Sequence, residues 1–398
     1  MIDLKKSVIL SAVRTPFGKL GGALSPLSAI DLGAEAIKEA INKSGVGQEE
    51  IDYVIMGQVL QAGVGQIPSR QATIKAGLDW SVGSETINRV CASSLRAVTM
   101  ANQMIKIGDR DIIVAGGMES MSNAPFASKD MRFGHRMFHS QMLDLMVHDG
   151  LWDPFYGQHM AVNGGYGADK YEVTREQQDK WALRSQELAS KAIENGYLDE
   201  EIVPVIVPQR RGDSVTVDKD EPPRPSTTME DLSQLPGLFI EGNTVTAGNA
   251  PGVNDGASAV VVASEEKAKE LGIKPLATIV DHAEVSVETR LIANAPGHAI
   301  EALLEKAELT IEDIDLFEIN EAFAAVTLVT QKMLNIPSEK INVNGGAIAY
   351  GHPIGATGGR ILTTLVHEMR RRQLRYGIAA ICSGGAQGDA VLIECQYD

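Results

Sequence analysis

Three residues of this 398-residue chain are of types that do chemistry together: Cys91, His352 and Cys382. The thiolate is the reactive form of cysteine, and a helix N-terminus or a neighbouring histidine favours it, because both offer positive potential. Apolar Leu95, Val98 and Ile105 keep helical spacing after Cys91, so Cys91 is expected where a helix begins and is the expected nucleophile. Cys382 follows the strand-like run Ile378-Ala379-Ala380-Ile381 and enters Gly384-Gly385, whose backbone N–H groups can approach an oxyanion closely. It suits proton transfer. With His352 in Gly351-His352-Pro353, the set suggests carbon–carbon bond chemistry on thioesters. The competing reading for either cysteine alone is a small inert core residue, and Cys395, which has no motif around it, is read that way.

The elements that must position these residues come from an α/β chain. A 44% hydrophobic content with 5% aromatic residues and 39 glycines fits a globular α/β enzyme with tight backbone turns. The length suggests two or three domains. Three cysteines argue against a disulfide framework. The first residues hold two lysines and a short apolar run broken by Arg14 and Pro16, too short for a signal peptide or a span, so a cytoplasmic location is expected. A net charge of −16 disfavours nucleic acid and anionic membrane as partners, since both need basic surface. Gln209-Arg210-Arg211 and Arg224-Pro225-Ser226 supply local cations, read first as solvated loop. No His, Cys and carboxylate cluster has metal spacing, so no metal is expected.

An internal repeat organises the chain. Ala36 through Gly57 aligns without gaps to Ala299 through Asn320, with Lys43/Lys306, Glu49/Glu312, Ile51/Ile314 and Asp52/Asp315 identical. Each copy then continues into a helix, carrying Arg96 or Arg360, and a strand expected to lead into Gly116-Gly117 or Gly384-Gly385. Helical patterns such as 31–43 alternate with strands such as 53–56 and 112–115, the order of sheets covered by helices. Between the copies the sequence is rich in Met, His, Asp and Pro, with one clear helix from Thr174 to Asn195, capped by Thr174 with Gln177 three residues on. It reads as an inserted loop domain reaching over the active site. The divisions are a first half at 1–121 completed by 252–273, a loop domain at 122–251, and a second half at 274–398.

At this level of detail the chain resembles the thiolase family. The resemblance rests on Asn320-Glu321-Ala322-Phe323-Ala324, on the run from Asn342 through Gly345-Gly346 and Gly351-His352-Pro353 to Gly358, on Cys382-Ser383-Gly384-Gly385-Ala386-Gln387-Gly388, and on the segment around Cys91. It covers essentially the whole chain, including Arg14-Thr15-Pro16-Phe17-Gly18 and Thr246-Ala247-Gly248-Asn249. It implies duplicated βαβαβαββ halves in a five-layer α-β-α-β-α arrangement with an inserted loop domain, assembled as a homodimer or homotetramer. It also implies a reversible Claisen condensation of two acetyl-CoA to acetoacetyl-CoA, with coenzyme A as substrate and product and no other cofactor. Cys91 would carry the acyl group, His352 would take its proton, and Cys382 would remove the α-proton of the second substrate. One oxyanion hole would fall to His352 and a water held by Asn320, the other to the N–H groups of Cys91 and Gly384.

The same resemblance implies CoA contacts at Arg224, Leu235, Phe239 and Ala247, with Ala322 and Phe323 supplied by the asparagine motif. Two departures stand out. Pro251 occupies a place where the family usually has serine and offers no hydroxyl, and Ala161-Val162-Asn163-Gly164-Gly165 replaces the usual Gly-x-Thr-Ala-Glu. His159-Met160 resembles the acetoacetyl-CoA branch, where these side chains crowd the acyl end. A broader degradative 3-ketoacyl-CoA thiolase is the first alternative. A ketoacyl synthase would place a histidine or asparagine at Cys382. A papain-like protease would leave the duplication unexplained, and a non-catalytic acyl-CoA-binding relic should have lost a motif.

Overall fold

The computed structural model describes residues 4–397. The chain begins with β1 (Ser7–Arg14), α1 (Ala29–Ser44), β2 (Tyr53–Gly57), α2 (Pro68–Lys75), β3 (Gly83–Ile87), α3 (Ser93–Lys106) and β4 (Ile112–Ser120). A long stretch holding α4 (Met160–Lys170) and α5 (Arg175–Glu194) precedes β5 (Asn254–Ser264). The chain then continues through β6 (Ala277–Ser286), α6 (Ala295–Ala307), β7 (Leu316–Ile319), α7 (Ala324–Leu334), α8 (Thr357–Arg372), β8 (Tyr376–Ser383) and β9 (Gln387–Glu394). Local signals set these ends. Ser28 caps α1 in a reciprocal box with Asp31, and Gly45 closes it at φ 74°; Thr174 and Gln177 do the same for α5.

The strands run in the order β7-β8-β9-β6-β1-β5-β4-β2-β3 in a 10-stranded sheet, with Gly18–Lys19 added on β5. The two halves meet where β1 pairs with β6 through only Ser7/Ile279, Val8/Thr278 and Ile9/Ala277. Strand periodicity explains why both faces are covered. In β4, Ile112 and Val114 join one core with Leu32, Ile37 and Ile41 of α1, while Ile113 and Ala115 join another with Leu95 and Val98 of α3 and Ile361 and Leu365 of α8. In β8, Ala379 and Ile381 share that central core, and Ile378 and Ala380 pack with Ile300 and Leu303 of α6. Helices therefore lie outside, between and outside the two half-sheets, giving the five layers of the thiolase fold.

The repeat extends further than its sequence match, with one correction. Strand β2 runs parallel to β4 with Tyr53 opposite Ile113, and β7 parallel to β8 with Leu316 opposite Gly377. Gly116-Gly117 therefore correspond to Ala380-Ile381 and not to Gly384-Gly385. The two glycine pairs answer different needs. A Cβ on Gly116 or Gly117 would lie 2.0 Å from the carbonyl oxygen of Ser258 or Gly355, whereas Gly385 sits at φ 76° in the β8–β9 turn.

The strands described between residues 122 and 251 form three separate two-stranded ladders outside the large sheet. Buried ion pairs attach this stretch to the rest: Arg14 of β1 reaches Glu201 at 2.7 Å and Asp220 at 2.7 and 2.8 Å. These carboxylates hold the Arg14 guanidinium charged against burial.

Candidate active site

Cys91 sits on the turn that leads into α3, directly before the N-cap Ala92 and so within two residues of the helix start expected from the sequence. Val90 adopts φ 45°, left-handed backbone that is strained for a β-branched residue. Ser93 fixes the turn by donating to the Val90 carbonyl at 2.6 Å and accepting from the Arg89 N–H at 2.8 Å. The Cys91 sulfur faces its own backbone N–H and that of Gly384. These donors favour the thiolate, yet burial outweighs them and pushes the thiol up to about 12, with the Glu119 carboxylate adding to the effect.

His352 follows Gly351, whose φ of 98° and close approach to Asn254 both require glycine; its own N–H bonds Asn254 Oδ1 at 2.9 Å. Its Nδ1 lies 2.7 Å from Thr357 Oγ1, and that hydroxyl donates to the Pro353 carbonyl at 2.8 Å. The ring proton must therefore sit on Nδ1, leaving buried Nε2 a bare acceptor without a partner. Burial, and then the Arg360 charge, holds this imidazole down to about 3. The resting pair is thiol and neutral imidazole, so proton transfer must accompany attack by sulfur.

Cys91 and His352 line one cavity of about 210 Å³ with His159, Met160, Phe239, Pro251, Ala322 and Phe323. It is smaller than a typical site for a drug-sized ligand, so it can take an acyl end and not a whole carrier. An outer cavity lined by Arg224, Ala247, Lys19 and Gln186 shares Leu238, Ala250, Pro251, Gly252 and Val253 with it. Cys382 is fully buried in the cluster that contains Met160, Ala322 and Phe323, and Cys91 helps burial raise its pKa well above the usual thiol range. Asn320 is also fully buried, and neither polar atom of its carboxamide has a partner. Such a group is costly unless something bound satisfies it.

The surrounding shell explains the motifs. Glu321 accepts from Trp181 Nε1 at 2.9 Å, Ser185 Oγ at 2.8 Å, Asn342 Nδ2 at 3.1 Å and the Ile348 N–H at 3.0 Å, tying α5 to the asparagine and histidine loops. Glu119 holds the histidine loop through the Gly355 N–H at 2.9 Å, and burial pushes its carboxyl up to about 7. His159 caps α4 by accepting the Ala161 N–H at 3.1 Å, and its ring stacks 3.9 Å from that of Phe239. The unusual Gly164 and Gly165 have a steric reason: a Cβ there would lie 2.6 Å from the Phe323 ring or 2.1 Å from Asn243 Oδ1.

Leu235 sits one residue behind the cavity walls. Leu235 lines neither cavity; it packs beside Gly248 and Trp181, and its carbonyl accepts from Arg175. Leu238, three residues on, lies at the junction of both cavities, with its N–H paired to the Val245 carbonyl. Lys19, Leu20 and Gln186 were also missed; only Lys19 had a signal, its position just after the Arg14–Gly18 motif. Arg210 and Arg211 line a different open cavity with Ser25 and Pro26.

Comparison with known proteins agrees with this geometry. Residues 7–266 match the family described as thiolase, N-terminal domain, and residues 273–395 match thiolase, C-terminal domain. The chain is 50% identical over 387 residues, 97% of its length and 98% of the relative's, to the acetyl-CoA acetyltransferase of Cupriavidus necator. It is 48% identical over 394 residues to that of Syntrophomonas wolfei, covering 98% of this chain and 99% of the other. The crystal structure of the Bacillus anthracis acetyl-CoA acetyltransferase superposes with a TM-score of 0.97 at 42% identity, each chain covered in full.

Proposed function

Because this chain belongs to the thiolase family, we propose that it is an acetyl-CoA C-acetyltransferase, an acyltransferase that reversibly joins two acetyl-CoA into acetoacetyl-CoA and CoA. The observation that carries the reading is the cavity that Cys91 and His352 line together. Cys91 attacks the first thioester; its proton passes to His352 Nε2 and on to the departing CoA sulfur. Cys382 gives its proton to the freed His352 Nε2, and the thiolate so formed takes a proton from the methyl carbon of the second acetyl-CoA. The enolate forms the carbon–carbon bond, and the Cys91 sulfur leaves and takes the proton from His352, so that both cysteines end as thiols. Burial makes the Cys382 thiolate a stronger base, which narrows its gap to a carbon acid. Cys91 and Gly384 N–H groups hold one oxyanion, and His352 with a water on Asn320 holds the other.

The carrier lies in the outer cavity, with Arg224 toward its phosphates and Ala247, Pro251 and Phe239 along its arm; Pro251 contributes apolar contact only. CoA is substrate and product, and no further cofactor enters. In this reading residues 122–251 are a loop domain between a first half of 1–121 plus 252–273 and a second half of 274–398. No helix among the described residues is long and apolar enough to cross a membrane, and we place the enzyme in the cytoplasm. Phe133, Phe138 and Met137 stand 95%, 87% and 70% exposed on one loop, which supports self-association into a homodimer or homotetramer. Sedimentation velocity reads this directly, and a monomer at micromolar concentration overturns it.

Kinetics on 3-ketoacyl-CoAs of increasing length test the function. With His159, Met160 and Phe323 closing a small acyl pocket, acetoacetyl-CoA should exceed 3-ketohexadecanoyl-CoA in kcat/KM by at least about 10²-fold. Its cleavage should require free CoA. Equal efficiencies would move the enzyme to the broad degradative branch.

A further inference from the structure

We propose that Arg89 is a positioning residue that braces the turn carrying Cys91 against the strand pair carrying Cys382 and Gly384, and so sets where the Gly384 N–H sits relative to that turn. Arg89 lies two residues before Cys91, and its backbone N–H already belongs to the Ser93 clasp that fixes the turn. Its side chain crosses to the other half of the molecule. Nε donates to Asp389 Oδ2 at 2.9 Å, and Nη2 lies 3.1 Å from Glu284 Oε2.

The acceptor side is built for a cation. Asp389 and Glu284 stand directly opposite each other on antiparallel β9 and β6. Like charges in that arrangement repel, so the strands favour this pair only with a cation between them. Arg89 fills that place, with Arg96 further off at 3.9 Å from Glu284. Asp389 also pairs across the β8–β9 hairpin with Ile381, adjacent to the Cys382/Gly388 pair. The hairpin turn contains Gly384, and a Cβ there would meet the Val90 methyls at 3.1 and 3.2 Å. One ion pair therefore links the nucleophile turn, the oxyanion donor and the strand of the second cysteine. Asp389 is 3% exposed and Arg89 20%, so the pair is shielded from solvent and holds a defined geometry.

The inference rests on Cys91 being the acyl-accepting nucleophile. Its test uses the full-length enzyme, single-turnover acetylation from radiolabelled acetyl-CoA, KM for acetyl-CoA and the melting temperature. Arg89→Gln should slow acetylation by about 10- to 100-fold, as expected when an oxyanion donor is misplaced by a fraction of an ångström, with KM within about twofold. Arg89→Lys should recover part of the rate. Adding Asp389→Asn to Arg89→Gln should cost little more, since both break one link. Wild-type rates in Arg89→Gln, or a raised KM with unchanged acetylation rate, overturn the brace. If Asp389→Asn does not fold, the Arg89→Gln and Arg89→Lys pair decides alone. Label found elsewhere than on Cys91 of the wild type overturns the nucleophile assignment instead, and the two failures are distinguished by peptide mapping.

Discussion

Cys91→Ser should lose acyl transfer by about 10⁴- to 10⁶-fold, the range for removing an activated nucleophile from a unit that works together. The buried thiol is already held near 12, and a serine hydroxyl in the same place starts higher still. CoA binding should survive, because Cys91 does not line the outer cavity. Incubation with radiolabelled acetyl-CoA followed by peptide mapping should find no label on residue 91, while calorimetry still reports CoA affinity within a few-fold of wild type. Stable label on another residue would remove Cys91 from the mechanism.

Cys382→Ser should separate the two half-reactions. In the proposed mechanism Cys382 acts only on the α-carbon of the second acetyl-CoA, so acetylation of Cys91 with release of CoA should persist. Condensation should fall by at least about 10⁴-fold, since a hydroxyl near neutral pH is almost never an alkoxide able to take a carbon-bound proton. Exchange of acetyl-CoA methyl protons with deuterated water should vanish in parallel. If exchange persists at the wild-type rate, another group is the carbon base, and His352 with its bare Nε2 is the first to examine.

Much of this protein is written in local sequence. The capping pair Thr174/Gln177 fixes the start of α5 through contacts three residues apart, so that helix was legible within a residue, and the apolar period over 31–43 gave α1 within two. The duplication was legible because two copies of one unit keep the same apolar alternation, and the family motifs named Cys91, His352, Cys382 and Asn320 before any fold was known. Tertiary structure decided what depends on distant chain. Whether Gly116-Gly117 matched Gly384-Gly385 depended on strand register, which a repeat of small residues does not specify. Leu238 reaches the junction of both cavities in a segment whose backbone pairs with distant Val245. The surroundings of Cys91 are tertiary as well: desolvation, set by side chains from both halves, works against the N–H donors beside it. Arg89 shows the limit most plainly: beside Cys91 it is one more basic residue, and only folding brings Asp389, 300 positions away, to within 2.9 Å of it.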